Sequence, residues 1–417
     1  MPPRTRRSLL ACALLAASAA LPPWASGRDR RSLILISIDA LRPDHVGALG
    51  YPQPVTPSLD RFAGQAAVFS NAVSQAPWTL PSMLSLFTSL YPHQHTVVNR
   101  YAVFNARRRE LAKLPYQFLT LAQVLKEAGY ATAAFTGGAG LGRASGLGRG
   151  FDVYVDSATF GGFAATLPQA LAWLQGRRDR PFFLFVHGYD VHGQFGPRDD
   201  SWMARRAQTI AGAPGPASDE EVRARRAGYD ARVARADALL GSFLERLGAM
   251  PGLRQRAVVV VFSDHGDELH EHGGVDHGMT LYDEVIRAVL MIRVPGLAPR
   301  RIPEQARLID LLPTVLELLE VEAPARLREQ MRGVSLQPLL AGQPLALDAF
   351  SETDFLLHSC RRSLRSAGGW KLIADELGDS RELYDLGTDP GERHNLLTSR
   401  PAVAFDLQKK LLRLAGD

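Results

Sequence analysis

The sequence predicts an α/β fold: a three-layer α/β/α sandwich around a largely parallel central sheet, with a small antiparallel subdomain at the C-terminus. Three observations predict it. Short continuous apolar runs, the signature of buried central strands, recur along the chain. Amphipathic segments of helical period separate them, which means helices on both faces of a sheet. Near residue 345 the pattern changes to short strand-like pieces joined by a turn. With 417 residues, 46% hydrophobic and 22% charged, the chain can build one large core and a smaller one.

The chain opens with Arg4, Arg6 and Arg7, then the apolar run Leu9 to Leu21, then small residues near Ala25-Ser26. This is the layout of a secretory signal peptide over 1–26, so export to the periplasm or the exterior is expected. The run is short for a membrane span, an uncleaved anchor being the competing reading, and no later run reaches spanning length. Cys12 and Cys360 are the two cysteines; removal of the leader leaves one thiol and no intrachain disulfide.

Leu33-Ile34-Leu35-Ile36-Ser37-Ile38 is the first expected strand and ends at Asp39. Others are expected over Ala131–Phe135, Phe182–Val186, Ala257–Phe262 and Ala288–Val294. Helices are expected over Leu119–Ala128, Leu167–Gln175, Glu220–Leu247 and Ala306–Glu320. Trp78-Thr79-Leu80-Pro81 opens a further helix whose Leu80, Leu84, Phe87 and Leu90 share a face. Thr79 reads as its N-cap and Pro81 suits the first turn. Such a helix start offers N–H groups and positive potential to an oxyanion, although an ordinary capping threonine fits the same residues. Gly137 to Gly142 lacks a following Gly-Lys-Ser/Thr and reads as a flexible loop. Ala211 to Ser218 reads as a surface insertion. In the tail, Trp370–Ile373 and Glu382–Leu386 are strands, followed by a turn at Asp389-Pro390-Gly391 and a terminal helix.

The net charge is +5. Arginine clusters at Arg107 to Arg109, Arg205-Arg206, Arg223 to Arg226 and Arg361-Arg362 lack interleaved aromatics, so no nucleic-acid partner is expected. A basic field does suit an anionic substrate.

In open α/β sheets chemistry collects beyond the carboxyl ends of strands. Two strands end in metal-type ligands, Asp39 after the first and Asp264-His265 after Ala257–Phe262. With Thr79 they make a set of two carboxylates, one imidazole and one hydroxyl. A threonine hydroxyl is a poor nucleophile at neutral pH, and both metal coordination and a helix N-terminus stabilise its alkoxide. His192 and His277 could neutralise a transferred group or protonate a leaving oxygen; a structural role fits each equally. His270 and His272 read as structural, and His93 and His95 as fixing the turn after the Thr79 helix. Asn99 could bond a substrate oxygen or serve a turn.

Four pieces in order resemble the sulfatase family of the alkaline-phosphatase superfamily: Leu35 to His45, Trp78 to Ser82, Ser263 to Gly266 with Leu281 to Arg287, and Glu382 to Glu392. The resemblance implies a catalytic domain over 27–345, a C-terminal subdomain over 346–417, and hydrolysis of sulfate or phosphate esters. Sulfatases carry a formylglycine made from Cys or Ser where Thr79 stands. Met83 replaces the motif's Arg and Ala40 its second Asp, while His265 stands where Asn or Gln is common. Losing an oxygen ligand and gaining imidazole shifts the expected divalent ion from calcium toward manganese or zinc, with calcium still compatible. The set is similar to phosphonate monoester and phosphodiester hydrolases and to threonine-dependent lipoteichoic-acid-synthase-like transferases. By that resemblance His192 matches a substrate-contacting His, His277 stands where those hydrolases place Lys, and Asn99 matches a substrate-binding Asn. The expected partner is a small anionic ester, free or carried on a glycan or lipid. A transferase to envelope lipid or glycan and a non-catalytic binding protein are the alternative readings.

Overall fold

The computed structural model describes residues 30–99, 101–105, 108–175, 180–193, 217–355 and 359–416. The leader 1–26 with Cys12, Arg107, Arg205-Arg206 and most of the Ala211 to Ser218 insertion lie outside the described residues.

Eight strands form the central sheet: Ser32–Ile38 (β1), Ala67–Val73 (β2), Ala131–Phe135 (β3), Val153–Val155 (β4), Phe182–Gly188 (β5), Ala257–Phe262 (β6), Arg287–Arg293 (β7) and Arg300–Arg307 (β8). Their order is β8-β2-β7-β6-β1-β5-β3-β4, and β7 alone runs against the others. The expected strands over 131–135 and 257–262 match residue for residue. The helix expected over Ala306–Glu320 does not: Ala306 and Arg307 end β8, and the helix runs Leu311–Leu318.

The two faces of β1 show why three layers form. Leu33 and Leu35 enter one apolar cluster and Ile34, Ile36 and Ile38 the other, as the two-residue period requires. The first cluster is closed by helices Thr79–Thr88 (α1) and Leu311–Leu318 (α2). The second is closed by Phe163–Gln175 (α3) and Asp219–Ala249 (α4). On α4, Tyr229, Val233, Ala236, Leu240, Phe243 and Leu247 recur at three- and four-residue steps and bury one stripe. Ser218 and Glu221 cap its start reciprocally.

The tail forms a four-stranded antiparallel sheet, Ala349–Asp354 (β9), Cys360–Arg365 (β10), Trp370–Asp375 (β11) and Ser380–Asp385 (β12), covered by helix Pro401–Ala415 (α5). The Gly137 to Gly142 segment is packed rather than loose. A Cβ on Gly137 would lie 2.1 Å from the Gly161 carbonyl, and Gly138 has φ +73°.

Candidate active site

The carboxyl ends of β1, β5 and β6 lie side by side, since β1 pairs with both of the others. Asp39 follows β1, His187 is the penultimate residue of β5, and Asp264-His265 follow β6. The Asp39 amide donates to Gly188 O (3.1 Å) and the Ala40 amide to Asp264 Oδ1 (3.3 Å), so the strand ends are tied to one another. Ala40 sits at φ +55°, a left-handed turn that points its amide at the second ligand.

Thr79 is the first residue of α1, not its cap. Trp78 holds the cap position with extended backbone and no side-chain cap bond. The reason is that the hydroxyl is engaged elsewhere. Thr79 Oγ1 donates to Asp39 Oδ1 at 3.0 Å and lies 3.3 Å from His265 Nε2. Ser82, one turn on, donates to the Asp264 carbonyl (2.8 Å) and accepts from Ser74 Oγ (2.9 Å), which locks α1 onto the β6 loop. His95 Nε2 stands 3.1 Å from Ser85 Oγ, fixing the following turn to the same helix as expected. Met83 is buried in the core and brings no charge to the site.

Ligand atoms of Asp39, Asp264 and His265 all lie within 4.8 Å of one another, and all three residues are fully buried. Asp39 Oδ2 and Asp264 Oδ2 are buried with no hydrogen-bond partner. Burial first, then repulsion from Asp264, pushes the Asp39 carboxyl well above the usual carboxylate range. Two converging carboxylates with orphaned oxygens, beside an imidazole held neutral by burial, are the donor set of a divalent cation, so these residues fit one. The imidazole's Nδ1 lies 2.8 Å from Gly266 O, which turns Nε2 toward Thr79.

His277 and His192 extend the cluster. The His277 ring centroid is 4.3 Å from that of His265 and 5.0 Å from that of His192. His277 Nδ1 is 2.7 Å from Asp267 and 3.2 Å from Asp276. Burial lowers its pKa, but Asp276 and Asp267 outweigh that and raise it to about 10, so the ring is a cation at neutral pH. His192 is the opposite case: burial, then the charge of His277, lowers its pKa to about 4. Its Nδ1 lies 3.0 Å from Gly193 O. Asn99 is buried on the loop after the His95 turn.

The structure adds His187, which sequence reasoning passed over for His192. Its Nε2 lies 3.7 Å from Asp39 Oδ1, and both ring nitrogens are buried without a hydrogen-bond partner. Parallel pairing of β1 with β5 puts it opposite Ser37, two residues before Asp39. A histidine at the polar end of an apolar run beside a ligand-bearing strand was the available signal.

Arg42 and Tyr229 hold these loops in place. Arg42 forms a two-point pair with Asp44 (3.0 and 2.7 Å) and donates to Asp267 O and Glu271 (2.9 Å each), joining the Asp39 and His277 loops. The Tyr229 hydroxyl donates to Ala40 O (2.7 Å) and accepts from the Arg42 amide (2.8 Å). From the tail, Phe355 packs edge-on against Trp78 at 5.3 Å between centroids, and Thr353 donates to Gly278 O (2.7 Å).

Comparison with known proteins gives a consistent picture. The Sulfatase family model matches residues 31–321, and the model for the C-terminal region of N-sulphoglucosamine sulphohydrolase matches 270–416. The chain is 25% identical over 425 residues to Delta 4,5-hexuronate-2-O-sulfatase of Bacteroides thetaiotaomicron, covering 89% of this chain and 85% of that protein. It is 31% identical over 209 residues to Arylsulfatase K of Mus musculus, a match over 47% of this chain and 37% of that one. Among solved structures, a 2-O GAG sulfatase superposes with a TM-score of 0.75 at 22% identity over 93% of each chain. The phosphonate monoester hydrolase of Agrobacterium radiobacter gives 0.72 at 21% identity, over 93% of this chain and 96% of that one. The two superpositions establish a shared fold; the family model, spanning every strand of the central sheet and all the metal-type ligands, shows that the chain belongs to the sulfatase family, hydrolases that act on ester bonds.

Proposed function

We propose that the protein is an exported, metal-dependent ester hydrolase in which Thr79 is the nucleophile and the substrate is an acidic sugar carrying a sulfate or phosphate ester. The observation that carries this reading is the position of the Thr79 hydroxyl, 3.0 Å from Asp39 and 3.3 Å from His265 Nε2 at a helix N-terminus. A divalent ion held by Asp39, Asp264 and His265, with manganese or zinc preferred for the imidazole ligand, would supply the positive charge that favours the alkoxide and polarises the ester.

The remaining steps belong to the chain's own groups. The Thr79 oxygen attacks sulfur or phosphorus and the ester oxygen departs with a proton; water then attacks the same atom and Thr79 regains its proton. His277, cationic through Asp276 and Asp267, binds an oxygen of the transferred group through Nε2 or gives its proton to the leaving oxygen. His192, neutral above about pH 4, offers a hydrogen bond without added charge. Asn99 is assigned to a substrate oxygen.

The curated relative aligned over most of both chains is a hexuronate 2-O-sulfatase, which supports a sulfate ester on an acidic sugar. A plain threonine ester lacks the route by which formylglycine expels sulfate, which supports a phosphate or phosphonate ester. The leader-like residues 1–26 support export, and we assign 27–345 to the catalytic domain and 346–417 to the subdomain. No helix among the described residues is long and apolar enough to cross a membrane.

A panel of p-nitrophenyl sulfate, phosphate monoester and phosphodiester, each with manganese, zinc or calcium, tests the reading. The wild type turns over at least one of them in a metal-dependent way, and Thr79→Ala loses about three or more powers of ten in rate. Full activity in Thr79→Ala removes the proposed mechanism.

A further inference from the structure

The pole of the sheet opposite the catalytic cleft carries a hollow of about 470 Å³. Arg30 and Arg31 precede β1 there, and Arg254 and Arg256 precede β6. Leu318, Leu319 and Pro295 give the hollow an apolar wall, and Glu320 is the acidic residue on its rim. Among the described residues, none of the four guanidiniums has a carboxylate oxygen within 4.0 Å. Arg30 and Arg31 donate to the carbonyls of Ala128 and Leu318, and Arg256 to that of Gly252. Nearby, Arg293 bonds the carbonyls of Arg254 and Ala257. Two further hollows adjoin it: Arg254 borders one of about 280 Å³ with Arg293 and the Arg61–Glu245 ion pair, and Arg256 one of about 430 Å³ with Arg246.

A solvated basic face interleaves acids with bases on convex surface. Here four arginines and one glutamate line a concavity, and among the described residues none of the four is ion-paired, an arrangement that an anion stabilises. Guanidinium forks match carboxylate and sulfate oxygens two at a time, and a leucine wall accepts the face of a sugar ring.

We propose that this hollow is a second binding site, one that holds an anionic sugar unit of an acidic glycan at the pole of the sheet remote from the catalytic cleft. The proposal rests on the acidic-sugar reading of the substrate. Arg31 and Asp39 flank the seven-residue strand β1, about 26 Å apart along the extended chain. A small ester in the cleft therefore leaves the hollow free, and the hollow recognises a separate anionic unit of the glycan. A recessed hollow suits a discrete sulfated or carboxylated group better than the plane of a membrane surface.

The test titrates a heparin hexasaccharide into the full chain carrying Thr79→Ala, alone and with Arg254→Gln/Arg256→Gln. The double substitution weakens binding by at least about tenfold, the loss expected for two charge-assisted pairs. Removing two exposed arginines elsewhere, Arg393→Gln/Arg413→Gln, leaves affinity unchanged. In the wild-type protein, where no variant can misfold, the hexasaccharide shields Arg254 and Arg256 from phenylglyoxal. Unchanged affinity and no shielding overturn the proposal, as does an equal loss in the charge-matched control, which means a diffuse field. A loss confined to phosphatidylglycerol vesicles, with hexasaccharide binding intact, overturns it in favour of a membrane contact. Failure of wild type to cleave any ester in the panel overturns the hydrolase reading instead and leaves the binding result standing.

Discussion

Thr79 differs from an ordinary first-turn threonine in where its hydroxyl goes: it abandons the cap and bonds Asp39. The meeting of Asp39, Asp264 and His265 was legible in the sequence because Asp39 and the Asp264-His265 pair each follow a strong apolar strand. His187 was not, since a histidine after Val186 looks like the end of a strand; only the β1–β5 register sets it against Asp39. Its Nε2 stands 3.7 Å from Asp39 Oδ1, and we assign it a positioning role for that carboxylate in the proposed metal site. His187→Ala is expected to weaken metal affinity by about 10- to 100-fold with the fold intact, measured by titrating manganese into the chelated protein. An affinity equal to wild type would separate His187 from the site. We assign the pH dependence of turnover to His277. Its pKa is raised to about 10, so its ion-pair stabilisation is complete below about 6.5 and is lost as pH climbs through 10. Activity that needs the cation holds through neutral pH and falls on the alkaline side. Asp267→Asn removes one of the two carboxylates that keep the charge, and the alkaline limb of kcat/KM moves down by about one pH unit or more. A limb that stays in place shows that His277 does not act as the cation.

The strands that escaped the sequence are those whose environment is mixed. Ala67–Val73 contains Ser70 and Asn71 and is half-buried in part, so it lacks a continuous apolar run. Arg300–Arg307 is an edge strand with exposed arginines and Pro303, and its buried end blends into the apolar stretch that follows. In the tail, β9 and β10 are mostly polar, without an apolar run or a regular alternation, and were missed, while β11 and β12 were found. The long helix α4 was legible by period, but its functional contact was not. Tyr229, on its buried stripe, supplies one hydroxyl to two backbone groups of the Asp39 loop. Tyr229→Phe leaves Ala40 O and the Arg42 amide buried without that partner, at a cost of about 2–4 kcal/mol. Urea denaturation reads the loss directly. Because the loop that relaxes carries Asp39, metal affinity falls in the same variant. Full stability in Tyr229→Phe means that water replaces the hydroxyl.

The two sheets share one buried charge cluster, and it links the tail to the chemistry. Lys371 of β11 is fully buried, with Nζ 2.9 Å from Asp283 and 2.7 Å from Glu392. Burial alone would raise the Asp283 carboxyl, yet Lys371, then Arg365 and Arg287, hold it well below the usual range. Asp283 opens the one-turn helix Asp283–Ile286, and Val285 O in that helix accepts the Gly266 amide at 2.7 Å, one residue after His265. The docking of the C-terminal sheet is therefore mechanically continuous with the loop that carries Asp264 and His265. Lys371 and Asp283 could not be paired from sequence, since they lie 88 residues apart along the chain and meet only when the sheet docks. Lys371→Met keeps the side-chain volume but strands two buried carboxylates, at a cost of about 3–5 kcal/mol. The expected outcome is a lower urea midpoint, earlier proteolysis in the 341–348 connection, and reduced turnover without any change in the residues that face the substrate. Lys371→Met/Asp283→Asn removes one of the stranded charges and recovers part of the stability. If the single variant keeps wild-type turnover while its C-terminal sheet is cleaved away, the tail is a passenger rather than a support of the site, and the continuity from β11 to His265 has no functional consequence.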